Sequence, residues 1–394
     1  MITVVEARNA VINSVKQGKK EFLSLQKSSG YILSDDITSP IDSPPFDNSA
    51  MDGFAFRYDD FLNQREIKVI GESAAGKSFS KKIKDGEAVR IFTGAEIPAG
   101  ADTVEMQEKT SVSNDKLIIQ DDKIFQGANI RYKGSQIKKQ ALALEKNSRL
   151  NPGSIGFLAS IGISKVKVIS KPKVAIIVTG NELQKPGAKL KIGNIYESNS
   201  VALQTALHSA GINFIKKFIV EDNKKSIRAT FKNAMKHYDF ILFTGGISVG
   251  DYDFVGKVME EEKVKTIFYK VKQKPGKPLF FGTKNKNYIF GLPGNPASVL
   301  TCFYEYVIPA LRKFHGYENP FLKSISVSLT KTINKKSGLT HFLKAVTDYK
   351  TATPLEGQES FIMKSFSDSN CFIVVPEEVE TINAGDEVEI HLLP

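Results

Sequence analysis

The chain has 394 residues, 41% of them hydrophobic and 25% charged, with a formal net charge of +11. That length allows two to four domains, and the balance is that of an ordinary soluble globular protein, not a disordered or fibrous one. The positive charge favours anionic partners, but its lysines (Lys16, Lys19, Lys20; Lys81, Lys82, Lys84; Lys335, Lys336) lie scattered among serine, glycine and apolar residues without any nucleic-acid-binding signature, so no nucleic acid is expected.

Residues 4–16 carry Val4, Val5, Ala7, Ala10, Val11, Ile12 and Val15 at helical spacing, which predicts an opening helix that docks on a core. It lacks the apolar stretch and cleavage site of a signal peptide. A turn-rich segment follows, in which Pro40, Pro44 and Pro45 exclude a helix and suggest an extended loop crossing between domains. From Phe54 to about Ile137, short strand-like runs alternate with Gly, Asp and Asn, the mark of a β-rich module. Between Ala141 and Lys171 the text reads as a turn at Asn151-Pro152-Gly153, an apolar helix and a strand. We take this as a small linking subdomain, with residues 19–44 available to complete it.

Lys173 to Gly316 alternates strands with helices: VAIIVTG, a helix from Asn199 stopped by Gly211, FIKKFIV, a helix over 223–237, DFILFTG, a helix over 254–262, then TIFYKV. Such alternation predicts right-handed βαβ units and a mostly parallel sheet, with ligands off the carboxyl ends of the strands. Gly180-Asn181-Glu182, Gly245 to Asp253, and Lys274-Pro275-Gly276-Lys277-Pro278 all follow strands on that edge. YIFGLPGNPASV then leads into a long helix that Pro309 should kink. Beyond Pro320, short strands return and indicate a C-terminal β-barrel or sandwich.

The division expected is therefore a linking subdomain (19–45 and 141–171), a β-rich domain (46–140), an α/β domain (1–18 and 172–317) and a C-terminal β-barrel (318–394). Cys302 and Cys371 lie far apart in apolar surroundings, so buried, reduced thiols are expected in place of a disulfide framework or zinc site. Five histidines without ligand spacing argue against a transition metal. No apolar run approaches membrane-spanning length, so a cytoplasmic protein without a membrane partner is expected.

The most informative stretch is Phe240 to Phe254, FILFTGGISVGDYDF. A buried strand breaks into Gly245-Gly246, passes Ser248 and Gly250, and delivers Asp251 and Asp253 before a helix. Glycines after a strand let the backbone approach a ligand, and the exposed N–H groups favour a phosphate or other oxyanion. Two carboxylates beside that pocket would repel an anion unless a hard cation such as Mg²⁺ bridged them. The alternative is that Asp251 is an N-cap and Asp253 a first-turn dipole partner. This stretch by itself leaves both open.

FDNSAMDGFA, IFTGAEIPAGADTVEMQE, VTGNEL, SNS, TGGISVGDYDF, KPGKP, GLPGNPASV and AGDEVEIHLL, taken together and in order, resemble the MoeA family of molybdopterin molybdenumtransferases, to which the gephyrin E domain is related. The resemblance covers essentially the whole chain. It implies an α/β multidomain subunit with a central, mostly parallel domain of the molybdopterin-binding type, and a homodimer. It also implies insertion of molybdate into adenylated molybdopterin, with Mg²⁺-dependent cleavage that releases AMP and molybdenum cofactor. The pathway's molybdopterin adenylyltransferase would be a partner.

Residue roles follow by position. Asp52 of the SAMDG stretch matches an acidic family position on a loop that reaches the partner subunit's site in relatives, which would let it act in trans. Its alternative is an Asx-turn. Glu182, with Asp251 and Asp253, is a candidate for metal and substrate contact; Glu182 could instead be a first-turn dipole carboxylate. Lys274 and Lys277 flank a Pro-Gly turn and would present two ammonium groups to the anion, unless they form a solvated hairpin tip. Thr179, Gly180, Ser198, Asn199, Gly245, Gly246, Ser248, Gly250, Pro293, Gly294, Asn295 and Pro296 fall on the motifs that would hold the cofactor precursor, with the helix start at Pro296 as a molybdate cradle or simply a helix start.

Three departures stand out. Gln136, in Lys133-Gly134-Ser135-Gln136-Ile137, occupies an acidic family position; Asn181 stands where relatives often have Asp; and Gly357-Gln358-Glu359-Ser360 lacks the usual Gly after its Gln. Gln neither binds Mg²⁺ as a carboxylate does nor serves as a general base. Two alternatives to molybdate insertion remain: a non-catalytic cofactor-binding or scaffold protein, and a molybdopterin adenylyltransferase, which shares the TGG-x-S-x-G-D module.

Overall fold

The computed structural model describes residues 1–245 and 254–394. The chain divides into two compact units, one of Met1–Glu21, Gly30–Ser34 and Val168–Pro394, the other of Phe22–Ser29 and Asp35–Lys167.

The first unit opens with α1 (Val4–Ser14), whose Thr3 N-cap and Glu6 form a reciprocal capping box. Val4, Ala7 and Val11 are buried, as the helical spacing predicts, whereas Val5, counted with them, is exposed because it falls on the opposite face. The sheet is built from β1 (Val174–Thr179), β2 (Ile215–Val220), β3 (Phe240–Thr244), β4 (Lys265–Tyr269), β5 (Phe280–Lys284) and β6 (Asn287–Leu292), in the order β2-β1-β3-β6-β5-β4. The β2–β1, β1–β3 and β3–β6 ladders are parallel, and the β6–β5 and β5–β4 ladders antiparallel. Two antiparallel steps restore the direction of β4, so its carboxyl end returns to the edge reached by β1, β3 and β6.

Connecting helices are α2 (Asn199–Ser209), α3 (Lys224–His237, N-capped by Asn223) and α4 (Phe254–Glu261). Both faces of the strands are covered, which explains their unbroken apolar runs. Val174, Ile176, Val178 and Leu242 point into one core with α1 and α2, whereas the alternate residues Ala175, Ile177, Ile241 and Phe243 pack on Phe231 of α3 and Met259 of α4.

After β6 comes α5 (Pro296–Cys302), a π-helical stretch over Phe303–Val307, and α6 (Ile308–His315). The irregularity expected at Pro309 thus sits just ahead of it, where the widened turns bracket Glu305, whose carbonyl the proline cannot bond. Gly316, at φ +91°, ends α6.

The strands β7 (Ser324–Leu329), β8 (Thr340–Thr347), β9 (Thr351–Pro354), β10 (Cys371–Val375) and β11 (Glu387–Leu392) then close a five-stranded barrel, because β8 pairs with both β9 and β10. Of the barrel and sandwich left open by the sequence, the barrel is found. Its interior includes Val327, Ala345, Cys371, Ile373 and Ile390. Cys302 and Cys371 are both free and buried, and burial pushes the Cys371 thiol up to about 12.

In the second unit, a six-stranded sheet runs in the order Thr103–Met106, Gly53–Phe56, Glu87–Ile91, Ile67–Ser73, Lys116–Ile119, Thr110–Ser113. The proline-rich stretch forms no helix there and bends at Pro40, Pro44 and Pro45, and Ile37–Thr38 pairs antiparallel with Leu142–Leu144. The short helix Pro152–Ser160 starts on Asn151, whose side chain accepts from the Ser154 N–H.

Candidate active site

The carboxyl ends of β1 and β3 and the chain leaving β6 surround a cleft of about 400 Å³. Its wall brings together Thr179, Glu182, Ser198, Asn199, Gly245, Gly294, Asn295 and Pro296, which are 117 positions apart at the extremes (296 − 179). The parallel ladders cause this convergence, since strands of one direction end at one edge.

Each wall residue has a local reason for its place. Gly245 has φ +86°, and a Cβ there would lie 2.3 Å from the Thr179 carbonyl oxygen, so only glycine lets β3 leave the sheet so close to β1. The Thr179 hydroxyl donates to Asp222 Oδ1 at 2.6 Å, which commits it to bracing the β2 end. Asn199, at the start of α2, donates from Nδ2 to Thr244 Oγ1 at 2.9 Å and to the Gly294 carbonyl at 2.8 Å. One amide thereby ties α2, β3 and the turn after β6 together. Its Oδ1 is buried and has no hydrogen-bond partner among the described residues. A buried acceptor left open at a cleft wall is available to a ligand or to a water.

Glu182 is exposed on the wall and makes no side-chain hydrogen bond or ion pair among the described residues. It is not in a helix: the chain there runs into Leu183–Gln184, which pairs in parallel with Ile195–Tyr196. The helix-dipole alternative for Glu182 therefore does not apply. Asn295 donates from Nδ2 to Ser360 Oγ at 2.8 Å, and the Ala297 N–H donates to the Ser360 carbonyl at 3.1 Å, so the barrel's 355–363 loop is fastened to the cleft rim. That loop is in turn held by Lys344, a buried ammonium that donates to the carbonyls of Gly357 at 2.7 Å and Ile362 at 3.0 Å. Burial lowers the pKa of Lys344.

The remaining sequence candidates lie elsewhere. Gly180 and Pro293 adjoin wall residues in the chain without lining the cleft. Lys274 and Lys277 are exposed on the turn after β4 and are not on the wall either. Asp52 belongs to the other compact unit, where its Oδ1 accepts from both the N–H and the hydroxyl of Thr93, each at 2.7 Å. The Thr93 N–H and then its hydroxyl hold this carboxyl below the usual carboxylate range. The Asx-turn alternative is thus replaced by a bond to a residue 41 positions away. Gly53 beside it is required, since a Cβ would lie 1.8 Å from the Glu105 carbonyl oxygen. Gly246, Ser248, Gly250, Asp251 and Asp253 fall outside the described residues. Among the described residues no three His, Cys, Asp or Glu side chains gather as a metal site.

Sequence reading missed Glu197 and Ser360. Glu197 is buried on the cleft wall and accepts from the N–H of Ser200 at 2.7 Å and from its hydroxyl at 2.5 Å. An acid three residues before a helical serine was the available signal. Ser360 carried none, because its partner Asn295 is 65 positions away.

Comparison with known proteins agrees over the whole chain. Residues 2–162 match the MoeA N-terminal region (domains I and II), residues 175–313 a probable molybdopterin-binding domain, and residues 326–393 the MoeA C-terminal region (domain IV). The chain is 35% identical over 408 residues to a molybdopterin molybdenumtransferase of Haemophilus influenzae, covering 100% of both. It is 34% identical over 402 residues to one from Staphylococcus aureus, covering 99% of this chain and 95% of the other. The solved molybdopterin biosynthesis MoeA protein of Pyrococcus horikoshii superposes with a TM-score of 0.85 at 34% identity, covering 100% and 99% of the two chains.

Proposed function

The chain belongs to the MoeA family of molybdopterin molybdenumtransferases, enzymes of molybdenum cofactor biosynthesis, and from that premise we propose that it inserts molybdate into adenylated molybdopterin and releases AMP and molybdenum cofactor. The observation that carries this reading is the cleft at the carboxyl edge of the sheet, where a carboxylate, Glu182, and an amide oxygen, Asn199 Oδ1, both without a partner among the described residues, stand among glycine-lined turns. The close backbone approach at Gly245 suits the oxyanions of both substrates.

Oxygen donors of this kind also suit a hard cation. Glu182, with Asp251 and Asp253, would hold Mg²⁺, which when bound would neutralise charge on the phosphoanhydride. Lys274 and Lys277 would meet the molybdate dianion as point charges, since a helix start and glycine N–H groups supply only partial charges. Asp52, whose carboxyl the Thr93 contacts hold below the usual carboxylate range, would serve the site of a second copy in a homodimer. The enzyme would work in the cytoplasm, where its two buried thiols stay reduced, and would receive its substrate from a molybdopterin adenylyltransferase.

AMP release from adenylated molybdopterin tests the reading, measured with Mg²⁺ and with or without molybdate, for wild type and Asp253→Ala. We expect molybdate-dependent release that the substitution abolishes. Binding of the adenylated precursor without AMP release in any condition would replace the enzyme by a cofactor-binding protein.

A further inference from the structure

Behind the Lys274–Lys277 turn lies a buried polar network that the cleft residues do not use. Gln273 is fully buried, and its Nε2 donates to the carbonyls of Pro275 at 3.1 Å and Gly276 at 3.2 Å. Its Oε1 accepts from the hydroxyl of Tyr306, itself fully buried in the π-helical stretch. The thiol of Cys302, at the end of α5, donates weakly to the Gly276 carbonyl at 3.6 Å. The Val271 N–H closes the turn on the Lys277 carbonyl at 2.9 Å. Three consecutive carbonyls, those of residues 275 to 277, are therefore each held from the buried side.

The contact leaves no slack. Gly276 has φ +86°, and a Cβ there would lie 2.5 Å from Cys302 Sγ and 2.9 Å from Gln273 Nε2. On the outer side, Lys274 and Lys277 are exposed and, unlike Lys272 with Glu377, have no ion-pair partner among the described residues. The arrangement places two ammonium groups on a backbone held by the Gln273 amide together with the Val271 N–H and the Cys302 thiol. An unfixed lysine loses rotamer and backbone freedom when it binds an anion, and a fixed turn removes the backbone part of that loss.

We propose that Gln273 is a positioning residue for oxyanion binding: its amide fixes the 274–278 turn against Tyr306 and Cys302 so that Lys274 and Lys277 meet molybdate preorganised. This rests on the reading that the two lysines bind the dianion. A hydrophobic side chain of similar size would fill the space but leave the Pro275 carbonyl unbonded and the Gly276 carbonyl with only the weak Cys302 thiol, and Glu would keep the shape while losing the amide donor.

The test is the KM for molybdate and the kcat of AMP release at saturating molybdate for wild type, Gln273→Met, Gln273→Glu, Tyr306→Phe and the double variant Lys274→Ala/Lys277→Ala. Molybdate binding is followed in parallel by calorimetry. Each Gln273 variant should raise the molybdate KM and Kd about tenfold, the worth of one to two hydrogen bonds, with kcat within about twofold. Tyr306→Phe should give a smaller shift in the same direction, and the lysine double variant a larger one. If the lysine variant loses molybdate while Gln273→Met binds it as wild type does, the positioning role is overturned and the lysine assignment stands. If the lysine variant binds molybdate normally, the lysine assignment fails and the positioning role with it. Should Gln273→Glu not fold, Gln273→Met carries the measurement, and a fall in kcat with unchanged KM would also overturn the proposal.

Discussion

At the carboxyl edge of the sheet, Glu182 is exposed and unpaired among the described residues, and Asn199 Oδ1 has no donor. Elsewhere in the same unit, Glu305 of the π-helical stretch is 1% exposed, and its Oε1 accepts from Nδ1 of His391 on β11 at 2.8 Å. Arg8 of α1 lies 3.8 Å from the other Glu305 oxygen, and His391 Nε2 lies 3.4 Å from Glu389. This knot ties α1, the π-helical stretch and the barrel together, with each charge facing another. The comparison separates two uses of ionisable groups. Buried charges must be matched within the protein or they destabilise it. Groups left unmatched at a cleft are free to meet a ligand.

The largest effect should come from breaking the knot. Glu305→Ala leaves the His391 imidazolium buried without its main partner and should cost about 3–5 kcal/mol of unfolding free energy, read from urea denaturation. Glu182→Ala should do the reverse, lowering AMP release about a hundredfold while unfolding free energy stays within about 0.5 kcal/mol of wild type. Equal losses of stability at both sites would erase the distinction.

The knot also sets a pH limit. Burial opposes the charge on His391, but hydrogen bonds to Glu305 and Glu389 outweigh it and raise its pKa from 6.5 to about 9. A raised folded-state pKa stabilises fully below 6.5 and is lost as pH rises through about 9. His341 works in the opposite sense: burial, then Lys335 and Lys274, lower its pKa to about 4, so protonation between 6.5 and 4 disfavours the fold as pH falls. Urea midpoints against pH should therefore fall at both ends, and Glu305→Gln should flatten the alkaline fall.

Smaller changes sharpen the contrast at the rim. Ser360→Ala removes the hydroxyl that Asn295 uses and should cost about 1 kcal/mol while raising substrate KM, visible in steady-state kinetics. Gln136→Asp should alter turnover by less than about twofold, because the Gln136 side chain is exposed and accepts a long, 3.5 Å bond from the Ser43 hydroxyl. A large gain would mean that the missing acid limits this enzyme.

Strand periods, helix spacing and glycine breaks in the sequence determined most of the α/β unit. The helix start near Asn223 and the stop at Gly211 act within a few residues, so the local sequence suffices to read them, whereas Asn151, read as part of a turn, is the N-cap of a helix that already begins at Pro152. The motif edges likewise located Glu182, Asn199 and Asn295, because parallel strands must deliver their carboxyl ends to one side. The tertiary structure alone decided that the barrel closes, that β4 and β5 are antiparallel, and that Ser360 reaches Asn295. It alone paired Gln273 with Tyr306 and Glu305 with His391, over 33 and 86 positions. Hydrogen bonds over such separations depend on how elements pack, and no local pattern of side chains encodes that.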